Sequence, residues 1–91
     1  MTINANGVLT PSSVTINSGE SVAFVNNHTG DHQMSSDPHP NHTDCPAINA
    51  VPTLRNGQSG QTNALTTSRT CGVHDHLNDG NASLRGTIVI R

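Results

Sequence analysis

Six histidines in 91 residues are the most chemically telling feature of this chain. His28, His32, His39 and His42 lie between Asn26 and Asp44, and His74 and His76 flank Asp75. Neutral imidazole suits Cu(II), zinc and nickel. Only the neutral ring binds, so affinity for such an ion must fall as pH drops through the histidine range. His39-Pro40-Asn41-His42 offers one pair from a loop, and His74-Asp75-His76 offers another from a strand-like segment. We therefore expect a metal site drawn from His32, His39, His42, His74 and His76. Asp75 alternates to the opposite strand face from His74 and His76. Three roles fit it: a ligand facing His32, a carboxylate holding an imidazole tautomer, or a strand-end residue bonding a loop. A lone loop histidine is more often a solvated polar residue, and His28 is set aside on that ground. Met34 is a soft candidate for Cu(I), but we expect it to fill core space.

The elements that must position these side chains read as short strands. Val14 and Ile16 alternate with polar neighbours, Ser18-Gly19-Glu20 reads as a tight turn, and Val22 and Phe24 alternate again. Together they predict a hairpin. Asn26 to Asp44 reads as a long loop, and long loops in compact domains are usually functional or disordered. Pro46 to Pro52 admits one short helical turn, and Asn56-Gly57 marks a turn. Gln61 to Thr67 reads as a polar strand anchored by Ala64 or Leu65. In the next strand Cys71, Val73 and Asp75 share one face; Gly72, His74 and His76 share the other. Asn78 to Ser83 is a loop, and Thr87 to Ile90 closes the chain with Ile88 and Ile90 on one face. No stretch carries a 3.6-residue period. The expectation is a single all-β domain over residues 1–91, a sandwich or small barrel.

The core must be thin. Hydrophobic residues make up 31% of the chain, and Phe24 is its sole aromatic. A chain this short needs a disulfide, a metal or neighbouring subunits. Cys45 and Cys71, 26 positions apart, suit a disulfide in a secreted protein. The alternative is a thiolate metal ligand. Lys is absent and Glu20 is the only Glu; the formal net charge of -2 argues against nucleic acid as a partner. No run of about 18 apolar residues is present to span a membrane. Met1 runs straight into strand-like sequence, which reads as a mature domain.

Several segments resemble a known family. Leu9-Thr10-Pro11-Ser12-Ser13-Val14-Thr15-Ile16, then Gly19-Glu20, then Val22-Ala23-Phe24-Val25-Asn26-Asn27 are similar to the opening of small bacterial cupredoxins. His32 falls where such proteins place their first copper histidine. Leu54 with Gly57-Gln58-Ser59 resembles the turn before the sixth strand, and Gly86-Thr87-Ile88-Val89-Ile90 the last strand. The resemblance covers nearly the whole chain and implies a cupredoxin-like Greek-key β-sandwich or barrel. It does not carry over a blue copper site. The Cys position falls on Asp75, the second His position on Asn78 and the Met position on Leu84. In a second register, Cys71-Gly72-Val73-His74 has the Cys-x-x-His spacing of a blue site, with no Met following. The segments His32 to Thr43 and His74 to Asn78 resemble a cupredoxin subgroup in which Asp replaces the Cys. That resemblance implies a retained fold and a changed metal site.

The leading functional expectation is an extracytoplasmic copper-binding protein with a histidine-rich, non-blue site. It would serve sequestration, delivery or storage, with Cu(II) as the cofactor and zinc as the second candidate. Next comes a metal-binding subunit of an extracellular filament or other assembly, self-associating through edge strands. An enzymatic copper site ranks third, because no second catalytic group can be read from the sequence. Electron transfer ranks last, because the thiolate that tunes blue copper is missing from its usual position.

Overall fold

The inward apolar positions anticipated from alternation do form one core, shared between two four-stranded sheets. The computed structural model describes all 91 residues. Its strands are β1 (Thr2–Ile3), β2 (Leu9–Thr10), β3 (Ser13–Ile16), β4 (Ala23–Asn26), β5 (Met34–Ser36), β6 (Ser59–Gln61), β7 (Arg69–Asp75) and β8 (Gly86–Ile90). One sheet runs β2-β1-β4-β6 and the other β3-β8-β7-β5. Each contains one parallel pair, β1 with β4 and β3 with β8; the other pairs are antiparallel. Ile3, Phe24, Met34, Ile48, Val73 and Ile88 are fully buried between the sheets. Met34 is core filler, as expected. No helix is long and apolar enough to cross a membrane.

Three local expectations need correction. Val14–Ile16 and Val22–Phe24 do not form a hairpin, because β3 pairs with β8 while β4 pairs with β1 and β6. The turn between them does form, with Gly19 at φ +96° and the Glu20 carboxylate accepting the Asn17 N–H. Alternation identifies an inward face but not its partner, and here the chain crosses from one sheet to the other. The polar strand expected over Gln61 to Thr67 lies earlier, at Ser59–Gln61. Beyond it the Asn63 N–H bonds the Ala47 carbonyl, outside the β4–β6 ladder. The loop Asn26 to Asp44 also contains a strand, β5, paired with β7. Two of its three residues are serines, so it lacks an apolar signal.

Other expectations hold. Pro46–Ala50 forms a 3-10 turn, with Pro at its start, where a missing N–H costs nothing. Leu65 is the buried anchor of its segment and Ala64 is exposed. Cys45 and Cys71 form a disulfide, with Cα atoms 6.1 Å apart. It ties the segment after the His-rich loop to β7. The outer strands β2, β3, β5 and β6 are only two to four residues long. Such short edges offer little template for strand addition.

Candidate metal centre

The alternation of β7 sorts the candidate ligands to two sides. Cys71, Val73 and Asp75 are buried within the sandwich, while Gly72 and His74 face outward under the 37–44 loop. The strand ends at Asp75, whose carboxylate accepts the Leu77 N–H and caps a 3-10 turn over His76–Asn78. That turn carries His76 to the same side as His74.

On the outer side, His39, His42 and His76 each offer a ring nitrogen, all within 4.8 Å of one another. His42 Nε2 lies 3.0 Å from His76 Nδ1. At metal–nitrogen bonds of about 2.0–2.1 Å, that separation matches two ligands at roughly 90° on one ion. His74 packs against this group, its ring stacked on His42 at 4.9 Å and edge-on to His39 at 5.3 Å. His39 Nε2 lies 3.7 Å from the Asp79 carboxylate, which adds negative charge beside the cluster.

Tautomers are fixed by the surrounding bonds. His42 Nδ1 donates to the Ser36 carbonyl, so Nε2 carries the lone pair. His74 Nδ1 donates to Asp37 Oδ1 at 2.6 Å, leaving its Nε2 as a lone pair, buried and with no partner. Buried polar atoms without partners are rare and call for an explanation, such as an ion. A carboxylate bonded to the far nitrogen of a metal-binding imidazole is the usual way such rings are oriented. His42 adopts φ +53°, a left-handed conformation that costs a residue with a Cβ about 1 kcal/mol or more. Its N–H bonds the Pro38 carbonyl and its carbonyl accepts from Asn49 Nδ2, which holds the ring in place.

Asp37 reaches His74 across Gly72. A Cβ at residue 72 would collide with the Asp37 carboxylate, so the contact requires glycine there. Gly72→Ala should displace Asp37, release the His74 ring and weaken metal binding by about 10–100-fold. Asp37→Asn should reproduce the direction without the steric clash. Competition titration of both variants, with circular dichroism to establish folding, checks this. Unchanged affinity in both would mean that Asp37 does not orient a ligand.

On the inner side, His32 and Asp75 form a separate group. His32 Nδ1 donates to Asp75 Oδ2 at 2.6 Å, and Asp75 also accepts from the Gln33 and Leu77 N–H groups and from Asn78 Nδ2. Burial alone would raise the Asp75 pKa; the donors from Asn78, Gln33, His32 and Leu77 outweigh it and hold the carboxyl below its ordinary 3.8. Because the folded value is depressed, ionised Asp75 stabilises the fold above the unfolded pKa. That contribution is lost as pH falls through the lower folded value. Asp75→Asn puts an N–H₂ among donors and should cost about 3 kcal/mol at pH 7. Urea denaturation from pH 7 to pH 2 checks this: the native chain should lose stability below about pH 4, and the variant should lose less over that interval. Equal stability at pH 7 would contradict the assigned role.

The structure thus brings His39, His42 and His76 together with His74 beside them, and places His32 and Asp75 elsewhere. Neither register of a blue copper site survives. Cys71 is in the disulfide, so it offers no thiolate. In the other register, Asp75 takes up His32 Nδ1, Asn78 donates to Asp75, and Leu84 is buried in the core. Sequence reading missed Asp37 and His28. His28 Nδ1 lies 2.8 Å from His32 Nε2. Nothing in its loop signalled the contact, and the role of Asp37 depends on β5, which was itself not legible.

No protein-family model matches the chain, and no curated protein does. Solved structures do match. A novel purple cupredoxin from Nitrosopumilus maritimus superposes with a TM-score of 0.74 at 16% identity, over 99% of this chain and 96% of that one. Plastocyanin from Dryopteris crassirhizoma gives 0.73 at 19% identity, over 99% and 97%. An M98L mutant of amicyanin gives 0.68 at 17%, over 88% and 70%. At these identities the likeness establishes the fold.

Proposed function

Starting from a cupredoxin fold whose usual thiolate position holds an aspartate, we propose that this chain is an extracytoplasmic protein that binds Cu(II) through a histidine-only, non-blue site. His39, His42 and His76 are its primary ligands and His74 its fourth, with Asp37 orienting His74. The observation that carries the reading is the convergence of three imidazoles on one point, with His42 Nε2 left as a lone pair. Copper is favoured over zinc because nitrogen sites bind Cu(II) most tightly among the divalent first-row ions. The disulfide supports an oxidising compartment. The role is holding, delivering or storing the ion, because a nitrogen-only copper site reorganises more on redox change than a thiolate one. The filament reading draws no support from the short edge strands.

Titration of oxidised, metal-free protein with Cu(II) and Zn(II) tests the proposal. A tight, saturable Cu(II) equivalent is expected, preferred over zinc. Protons compete for the same lone pairs, so affinity should fall as pH is lowered. Absence of saturable binding at neutral pH would overturn the reading.

A further inference from the structure

A second pair of imidazoles lies outside this centre. His28 Nδ1 and His32 Nε2 face each other at 2.8 Å, with ring centroids 5.0 Å apart. Their protonation can be traced. Asp75 accepts His32 Nδ1–H, which leaves His32 Nε2 as the lone pair. With His32 Nε2 an acceptor, the 2.8 Å contact is a hydrogen bond donated by His28 Nδ1–H, and the Gly30 N–H lies farther from that nitrogen, at 3.3 Å. A divalent ion that displaces this proton, with His28 carrying its remaining proton on Nε2, would meet both facing nitrogens as lone pairs.

The surroundings leave room for one. A Cβ at residue 30 would sit 3.3 Å from His28 Nδ1 and 3.6 Å from His32 Nε2. Glycine there keeps the approach to both nitrogens open. His28 and His32 line a cleft of about 350 Å³ together with Asp31, Asn78 and Asn81, so oxygen donors and water are at hand. The spacing again suits two ligands at roughly 90° around an ion with bonds of about 2.0–2.1 Å. This is not the position a metal would take between His32 Nδ1 and residue 75, since Asp75 closes that position by bonding Nδ1 itself.

We propose that His28 Nδ1 and His32 Nε2 form a second divalent metal site, for Cu(II) or Zn(II). Asp75 orients His32 from behind. With two protein nitrogens, the site binds more weakly than the His39–His42–His76 centre, and it fills after it.

The test uses the full oxidised chain. Calorimetric titration with Zn(II) should show two equivalents, the second at least about tenfold weaker. Nitrogen-15 NMR of the unmutated protein should show His28 Nδ1 and His32 Nε2 shifting during the second equivalent. In a His42→Ala/His76→Ala background, where the main centre is weakened about 100-fold, the equivalent that moves the His28 and His32 ring nitrogens should remain, and adding His28→Ala should abolish it. If His28→Ala leaves that equivalent in place, or if the ring shifts of His28 and His32 do not move with zinc, the proposal is overturned and the two rings share a proton instead. Failure of the main centre reads differently: tight binding would persist in the His42→Ala/His76→Ala protein.

Discussion

A chain carrying His42→Ala and His76→Ala should bind Cu(II) at its main centre on the order of 100-fold more weakly, or worse, than the native protein. Structural zinc sites with four ligands release roughly 10–16 kcal/mol, about 3 kcal/mol per ligand, so two lost ligands cost several powers of ten unless water substitutes well. These are the two nitrogens that lie 3.0 Å apart, one of them fixed as a lone pair by the Ser36 carbonyl. The fold should survive. His42 gives up one hydrogen bond to Ser36, worth about 1 kcal/mol, and His76 sits on an exposed turn. Competition against a chelator of known affinity measures the loss. Affinity within a factor of three of native would mean that the converging rings are not the ligands.

The second large effect concerns the fold. Cys45→Ala with Cys71→Ala should lower the thermal midpoint of the metal-free protein by roughly 15–25 °C. Closing a loop of 26 residues is worth about 3.5 kcal/mol on the chain-entropy model. In a chain of this size each kcal/mol moves the midpoint by about 4–8 °C. The core has little to spare, since Phe24 is its only aromatic side chain, and both sulfurs are buried in it. The bridge also ties β7, which carries His74, to the segment that closes the His-rich loop. Metal should therefore restore part of the lost stability, because an ion held only by the folded state adds stability by mass action. Circular dichroism melts with and without Cu(II) check both statements. A midpoint within a few degrees of native would contradict the structural role of the bridge.

The faces of β7 were legible because strand alternation is a strict geometric rule. Cys71, Val73 and Asp75 point inward as their spacing required, and the cysteine count and separation suited the disulfide while leaving a Cys71 thiolate ligand open. The pairing of β3 was not legible, since Val14 and Ile16 carry the same alternation whether their partner is β4 or β8. Strand β5 was hidden because two of its three residues are buried serines, Ser36 with its hydroxyl bonded to the Asp37 carbonyl and the Cys45 N–H, a property that hydrophobicity does not encode. That gap propagated to the site. Without β5, the reach of Asp37 over Gly72 to His74 could not be foreseen. The histidine types and their two segments were visible in the sequence. The separation of His32 from His39, His42 and His76 was not, because it depends on which face of the β5–β7 pair each loop covers.

The central claim is a copper site built from imidazole with no thiolate, and one spectrum tests it most directly. Oxidised protein loaded with a single equivalent of Cu(II) should show only a weak visible band. Its EPR spectrum should show wide copper hyperfine splitting and coupling to several nitrogens. An intense charge-transfer band with narrow hyperfine splitting would show a copper–thiolate bond, and would contradict both the disulfide and the histidine centre.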